Sequence, residues 1–188
     1  MISICIPIHD MKDGQFFLGR CIGSIFAQSY KDYEVIITHQ GKMAENSNFA
    51  IKGARGDLIK VLYMDDYFAH ENALKDIVEA FRGGSGEWLI TGTDNNPYPY
   101  YTDDIHTGNN KLGSPSALTM KRDCLMLFDE SMTWLLDCDL FKRLYESYGE
   151  PVIINGANVV IGIHEGQMTN IISDEIKVAE LNYLNEKL

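Results

Sequence analysis

The sequence is poor in the features of secreted, membrane-spanning or nucleic-acid-binding proteins. Its four cysteines, Cys5, Cys21, Cys124 and Cys138, form no CxxC and no zinc-type pair. Three of them sit within apolar runs, which reads as free buried thiols in a reducing compartment. No window approaches the ~20 consecutive apolar residues of a membrane span. The opening "MISICIPIHD" is apolar but short, has no basic leader and runs into His9 and Asp10, so it reads as a strand and not as a signal peptide. Positive charge is scarce: 16 Lys and Arg against 27 Asp and Glu leave a net charge of −11, with no basic cluster, which argues against a nucleic-acid partner. A phosphorylated ligand stays open, because a metal ion can supply positive charge locally. These absences predict a soluble, cytoplasmic protein.

What is present is an alternation. At 188 residues with 45% hydrophobic side chains, the chain is long enough for one domain with a sizeable core. "ISICIPI" is a continuous apolar run, the pattern of a strand buried on both faces. "FFLGRCIGSIFAQ" follows with helical spacing, then a strand in "YEVIITH", a short helix in "NSNFAIKGA", a strand in "DLIKVLYM", a helix in "HENALKDIVEAFR" and a strand in "EWLITGT". This order predicts a mainly parallel sheet covered on both faces. The rhythm breaks over residues 94–116, "DNNPYPYYTDDIHTGNNKLGSPS", which is too long for a simple connector and reads as a functional loop. Beyond it, "SALTMKR" reads as a strand, "TWLLDCDLFKRLYESYG" as a helix and "PVIINGANVVIGIH" as one or two strands. "SDEIKVAELNYLNEKL" then closes the chain as an amphipathic helix.

Open parallel sheets bind ligands outside the carboxyl ends of their strands. Three loops leaving such ends are polar here: "HDMKD", "HQGK" and "MDDYF". The last carries Asp65 beside Asp66, two like charges that something must compensate. A solvated turn would do so, and so would Mg²⁺ or Mn²⁺, hard ions that take few protein ligands and complete their shell with phosphate oxygens and water.

The ordered motifs resemble the family 2 glycosyltransferases of the GT-A fold. "SICIPIHD" resembles that family's opening strand, and "LGRCIGSIFAQSYKDYEVIITHQGK" its first helix and second strand. "NFAIKGARGDLIKVLYMDD" resembles the segment that ends in its DxD carboxylates. "GSPSALTM" resembles its glycine-containing acceptor loop, "WLLDCDLFKRL" its catalytic-base helix and "IHEGQMT" its C-terminal metal-histidine region. The resemblance implies a Rossmann-like, mostly parallel α/β sheet in one compact catalytic domain over residues 1–172. The helix of 173–188 would pack on that core or on a partner.

It further implies a metal-dependent, inverting, hexosyltransferase-like enzyme that moves a sugar from a nucleotide-diphospho-sugar to a carbohydrate or other hydroxyl acceptor. Asp65, Asp66 and His164 would hold Mn²⁺ or Mg²⁺, with Asp66 the direct ligand and Asp65 also near the donor ribose. Asp137 would be the general base. Pro7, His9, Asp10, His39 and Asn48 would line the nucleotide site, and Gly113, Ser114 and Trp134 the sugar and acceptor side. The family's "DDGS" stands here as "HQGK", its first DxDD acid as Tyr63, and its Tyr-Asn pair as His9-Asp10. UDP is the donor nucleotide that the resemblance implies, and these replacements leave dTDP, GDP and CDP open. A non-catalytic sugar-nucleotide or glycan-binding module is the alternative, and a homodimer through the last helix is a further expectation.

Overall fold

The computed structural model describes residues 1–187, so Leu188, the last residue of the predicted 173–188 helix, lies outside the described residues. The apolar run at the start forms β1 (Ile2–Pro7), with every residue buried. Its side chains alternate between two cores, as the two-residue period of a strand requires. Ile2, Ile4 and Ile6 pack with Cys21 and Ile25 of α1 (Gly14–Phe26) and with Leu74 and Ile77 of α3 (Ala73–Gly83). Cys5 faces the other way, into a core shared with Ala50 and Ile51 of α2 (Met43–Gly53) and with Phe141 and Leu144 of α4 (Leu136–Tyr148). Helices therefore cover both faces, as predicted.

The sheet has the order β2-β1-β3-β6-β5-β7-β4. β2 (Tyr33–Thr38) and β3 (Leu58–Val61) flank β1 in parallel. β5 (Trp88–Thr93) and β7 (Val152–Val160) also pair in parallel, while β6 (Leu118–Lys121) runs antiparallel between β3 and β5. The short β4 (Tyr67–Phe68), for which two residues give no periodic signal, pairs antiparallel with the end of β7. Five of the seven strands thus share one direction, the mostly parallel arrangement expected. All four cysteines are free and buried. Among the described residues no helix is long and apolar enough to cross a membrane.

After β7 the chain passes through α5 (Met168–Ile171) into α6 (Asp174–Lys187), which docks through polar groups. The carboxylate of Glu180, only 6% exposed, accepts the backbone N–H groups of Thr133 (2.6 Å), Trp134 (2.8 Å) and Leu135 (2.9 Å), the three residues that lead into α4. Lys187 at the far end reaches Asp129 and the fully buried Asp139, which also holds Arg143. Asp139 is therefore a strut between α4 and α6.

Hydrogen bonds to a charged acceptor are worth about 1.5–3 kcal/mol each, and a buried donor left without one costs about 1–3 kcal/mol. Glu180→Ala should lower stability by roughly 3 kcal/mol and the melting temperature by ~6–12 °C. Glu180→Gln, which keeps one acceptor oxygen, should lose about half of that. A melting temperature within ~1 °C of the parent for Glu180→Ala would show that α6 is not fastened this way.

Candidate functional site

The C-terminal ends of β1 and β3 open onto one cavity of about 760 Å³, walled also by the start of α4 and the segment after β7. Its walls include His9, Asp10, Asp65, Asp66, Ser114, Trp134, Asp137 and His164. Residues separated by up to 155 positions in the chain, His9 and His164, thus meet because the crossovers return every polar loop to the same sheet edge.

The two aspartates divide their tasks. Asp65 points across the cavity floor to His164, its Oδ2 lying 3.0 Å from Nε2, and both side chains are 15% exposed. The His164 ring packs against Phe17, with centroids 5.1 Å apart. Arg20 donates to the Asp65 carbonyl at 2.7 Å while its guanidinium lies over the Tyr67 ring at 4.3 Å. Asp66 turns inward and is 3% exposed, with Oδ1 accepting the Gly162 N–H at 2.8 Å. Burial first, and the Asp65 charge second, hold the Asp66 carboxyl well above the usual carboxylate range. Gly162 fits only as glycine, because a Cβ there would collide with the Asp65 carbonyl.

Beneath the pair lies Lys60, fully buried in β3 and donating to the carbonyls of Ser116 and Leu118. Burial pulls its ammonium down to about 7, and the Asp66 charge works against that. Ser116 in turn accepts the Tyr63 N–H at 2.8 Å, so the DxD-like segment and the loop after residue 112 are tied together.

Among the described residues, no group of three or more His, Cys, Asp and Glu side chains is gathered as a metal cage. The donor chemistry nevertheless fits a Mg²⁺- or Mn²⁺-type ion. A carboxylate and an imidazole converge, a second carboxylate lies desolvated beside them, and the remaining positions suit phosphate and water oxygens. The structure gives the contact with His164 to Asp65, whereas Asp66, the expected direct ligand, is occupied on one oxygen by Gly162.

Asp137, which lines the same cavity, stands at the first turn of α4. Its Oδ1 accepts the Cys138 N–H at 2.9 Å and its Oδ2 the Asn110 side-chain amide at 2.9 Å. Burial pushes its carboxyl up to about 6, with these hydrogen bonds acting in the opposite direction. Ser114 and Trp134 line the cavity as well.

Four of the expected residues lie elsewhere. Asn48 is buried in α2, where its carboxamide donates to the Phe128 carbonyl and to Glu130 and accepts the Phe128 N–H, so it holds a loop and is unavailable to a nucleotide. Pro7 is sealed inside β1. His39 is exposed outside the cavity wall, with Nε2 3.8 Å from Oδ1 of Asp10. Gly113 is also outside it. A Cβ there would meet no atom closer than 3.8 Å, so what demands glycine is its backbone φ of +102° and not a close approach. Of the tyrosines in the long loop, Tyr98 and Tyr100 are exposed outside the cavity wall, and Tyr101 stacks on Tyr145 at 3.6 Å. Residues the sequence reading missed are Asn46, which lines the cavity and ties the Ile8 carbonyl to the Gln40 N–H, and Asn110, Lys60 and Arg20. Of these, only Lys60 left a trace, as a charge inside an apolar run.

No family model matches the chain. A protein of Rickettsia bellii (strain RML369-C), described as an uncharacterized glycosyltransferase, is 30% identical over 113 residues, which is 58% of this chain and 14% of that protein. Among solved structures, Staphylococcus aureus TarS 1–349 in complex with UDP-GlcNAc superposes with a TM-score of 0.74 at 15% identity, covering 96% of this chain and 64% of that one. Glucosyl-3-phosphoglycerate synthase from Mycobacterium tuberculosis, in complex with Mg²⁺ and UDP, gives 0.68 at 11% identity, over 97% and 78%. The mannosyltransferase PcManGT from Pyrobaculum calidifontis, in complex with GDP-Man and Mn²⁺, gives 0.67 at 11%, over 88% and 58%. The chain thus has the GT-A glycosyltransferase fold that its motifs resemble, and it spans only a part of several of the proteins it matches.

The buried Asp66 generates a pH effect whose sign is fixed. Its folded pKa is raised, so between the unfolded value of ~3.9 and the raised one the unfolded chain ionises while the folded chain keeps its proton. This group therefore removes stability as pH rises through that window and exerts its full penalty above it. Asp66→Asn should raise the melting temperature of the metal-free protein at pH 8 by about 3 °C or more and leave it within ~1 °C of the parent at pH 4. No gain at pH 8 would mean that the Asp66 charge is already compensated without a ligand.

Proposed function

We propose that the chain is a glycosyltransferase that uses a divalent cation to bind a nucleotide-diphospho-sugar and transfers the sugar with inversion to an acceptor hydroxyl. One observation carries this reading: Asp65, Asp66 and His164 line the same cavity as Asp137, in a GT-A fold. The cavity volume of about 760 Å³ lies in the range of ligand pockets. The bound nucleotides and metals of the matched structures, UDP, UDP-GlcNAc and GDP-Man with Mn²⁺ or Mg²⁺, support the donor class.

In this reading Asp65 and His164 hold the cation, Asp66 lies against them, and the nucleotide enters between His9, Asp10 and Asn46. The cation supplies Lewis-acid stabilisation of negative charge on the departing diphosphate. The acceptor oxygen attacks the anomeric carbon from the Asp137 side, and the bond from that carbon to the diphosphate oxygen breaks in line. Asp137 takes the hydroxyl proton. Its carboxyl, raised to about 6, is ionised and still basic at neutral pH, the condition for an effective general base. Trp134 and Ser114 border the space where the sugar and the acceptor would sit.

The test is transfer from UDP-, GDP-, dTDP- and CDP-sugars, followed as release of the nucleoside diphosphate, with Mn²⁺, Mg²⁺ or EDTA. Asp137→Asn should lower turnover roughly 10²–10⁴-fold while leaving metal-dependent nucleotide binding intact. Asp65→Ala should abolish the metal dependence of binding. Full turnover in Asp137→Asn would remove the assigned base. Metal-dependent nucleotide binding with no turnover in the parent protein would instead favour a binding module on the same fold.

A further inference from the structure

Asn110 lies in the long loop between β5 and β6, 27 positions before Asp137, and its carboxamide is used on every side. Nδ2 donates to Oδ2 of Asp137 at 2.9 Å and to the Gly113 carbonyl at 2.8 Å. Oδ1 accepts the N–H of Leu112 at 2.8 Å and of Gly113 at 3.1 Å. A carboxamide has two donor hydrogens and two acceptor lone pairs, so all of its capacity is spent here. The orientation is therefore unambiguous: a flipped amide would face two backbone N–H groups with N–H and would turn its oxygen toward a carbonyl and a carboxylate.

We propose that Asn110 is the positioning residue of the reaction, fastening the general base Asp137 to the 113–116 loop and holding it as an acceptor toward the cavity. The inference rests on the reading of Asp137 given above and adds to it a residue that touches neither nucleotide nor metal. The geometry gives the hydrogen bond two effects. It fixes the carboxylate plane, because Oδ1 is already engaged by the Cys138 N–H and Oδ2 by Asn110, leaving one free lone-pair direction on each oxygen. It also couples that plane to Gly113, whose left-handed backbone is itself shaped by the same carboxamide, so the base and the loop bearing Ser114 move as one unit.

The other groups around Asp137 do not substitute for it. Tyr63 lines the same cavity and feels its charge, and Cys138 and Asp139 share its helix. Burial raises both the phenol and the thiol, so neither is charged at neutral pH. Asp139 is turned away to Arg143 and Lys187. Asp65, Asp66 and His164 line the same cavity but make no hydrogen bond to Asp137. Asn110 is thus the carboxamide donor to Oδ2 of Asp137, with the neutral Cys138 thiol a weaker side-chain neighbour of the same carboxylate.

A hydrogen bond to the ionised form lowers a carboxyl pKa, so its loss should raise that of Asp137. The measurement is a ¹³C NMR titration of the Asp137 carboxyl carbon, assigned by its disappearance in Asp137→Asn, in the parent and in Asn110→Ala and Asn110→Ser. This needs no substrate. The parent should titrate near 6. Both variants should titrate at least half a unit higher, and their transfer rates should fall more at pH 6 than at pH 8, by about twofold or more in that ratio. A variant weakened only in its fold would lose activity evenly across pH. An unshifted Asp137 titration in a folded variant would overturn the role of Asn110 while leaving Asp137 as the base. Full transfer by Asp137→Asn would remove the base itself, and this inference with it.

Discussion

The structure turns on carboxylates withdrawn from water in a chain that already carries a net charge of −11. Taking a charge out of water costs several kcal/mol unless partners replace its hydration. Asp66 and Asp137 are both held this way, and the protein meets the cost incompletely. Each receives backbone and side-chain donors, yet each carboxyl remains well above its ordinary range. Lys60, buried in β3 and within reach of the Asp66 charge, has its Nζ held by carbonyls and its ammonium drawn down to about 7 by burial. The remaining deficit is what a bound cation and a proton in transfer would relieve.

The fold supplies the donors from far along the chain. Gly162 and His164 arrive from the end of β7 to meet residues 65 and 66, and Asn110 arrives from the long loop to meet Asp137. Glu180 reaches back from α6 to collect three amide groups at the entrance to α4. The last helix is therefore a buttress of the Asp137 wall as well as a cover for the core. Through these closures the cavity is held by segments far apart in the chain.

Strands and helices of the first ninety residues were legible because burial on both faces of a parallel sheet leaves continuous apolar runs, and one-sided helices leave a helical period. The convergence of His9, Asp10, Asp65 and Asp66 was legible for a topological reason, since strand C-termini share one edge. What could not be read is the direction in which a polar side chain turns. Asn48 sits in the same sequence pattern as a nucleotide contact would, yet it faces the Phe128–Glu130 turn. Gly113 stands outside the cavity wall, where its positive φ already asks for glycine. Asn110 and Glu180 act through hydrogen bonds to residues far along the chain, which leave no periodic trace, and two-residue β4 is shorter than any period.

The central claim is that Asp65 and His164 form a cation site completed by a diphosphate. Electron paramagnetic resonance of Mn²⁺ tests it directly, by following loss of the free-ion signal as the protein is titrated with UDP, GDP, dTDP or CDP present. The account expects saturable uptake of one ion per chain in the presence of a nucleoside diphosphate, lost in Asp65→Ala and in His164→Ala. Absence of uptake with every nucleotide, or uptake that survives both substitutions, would contradict it.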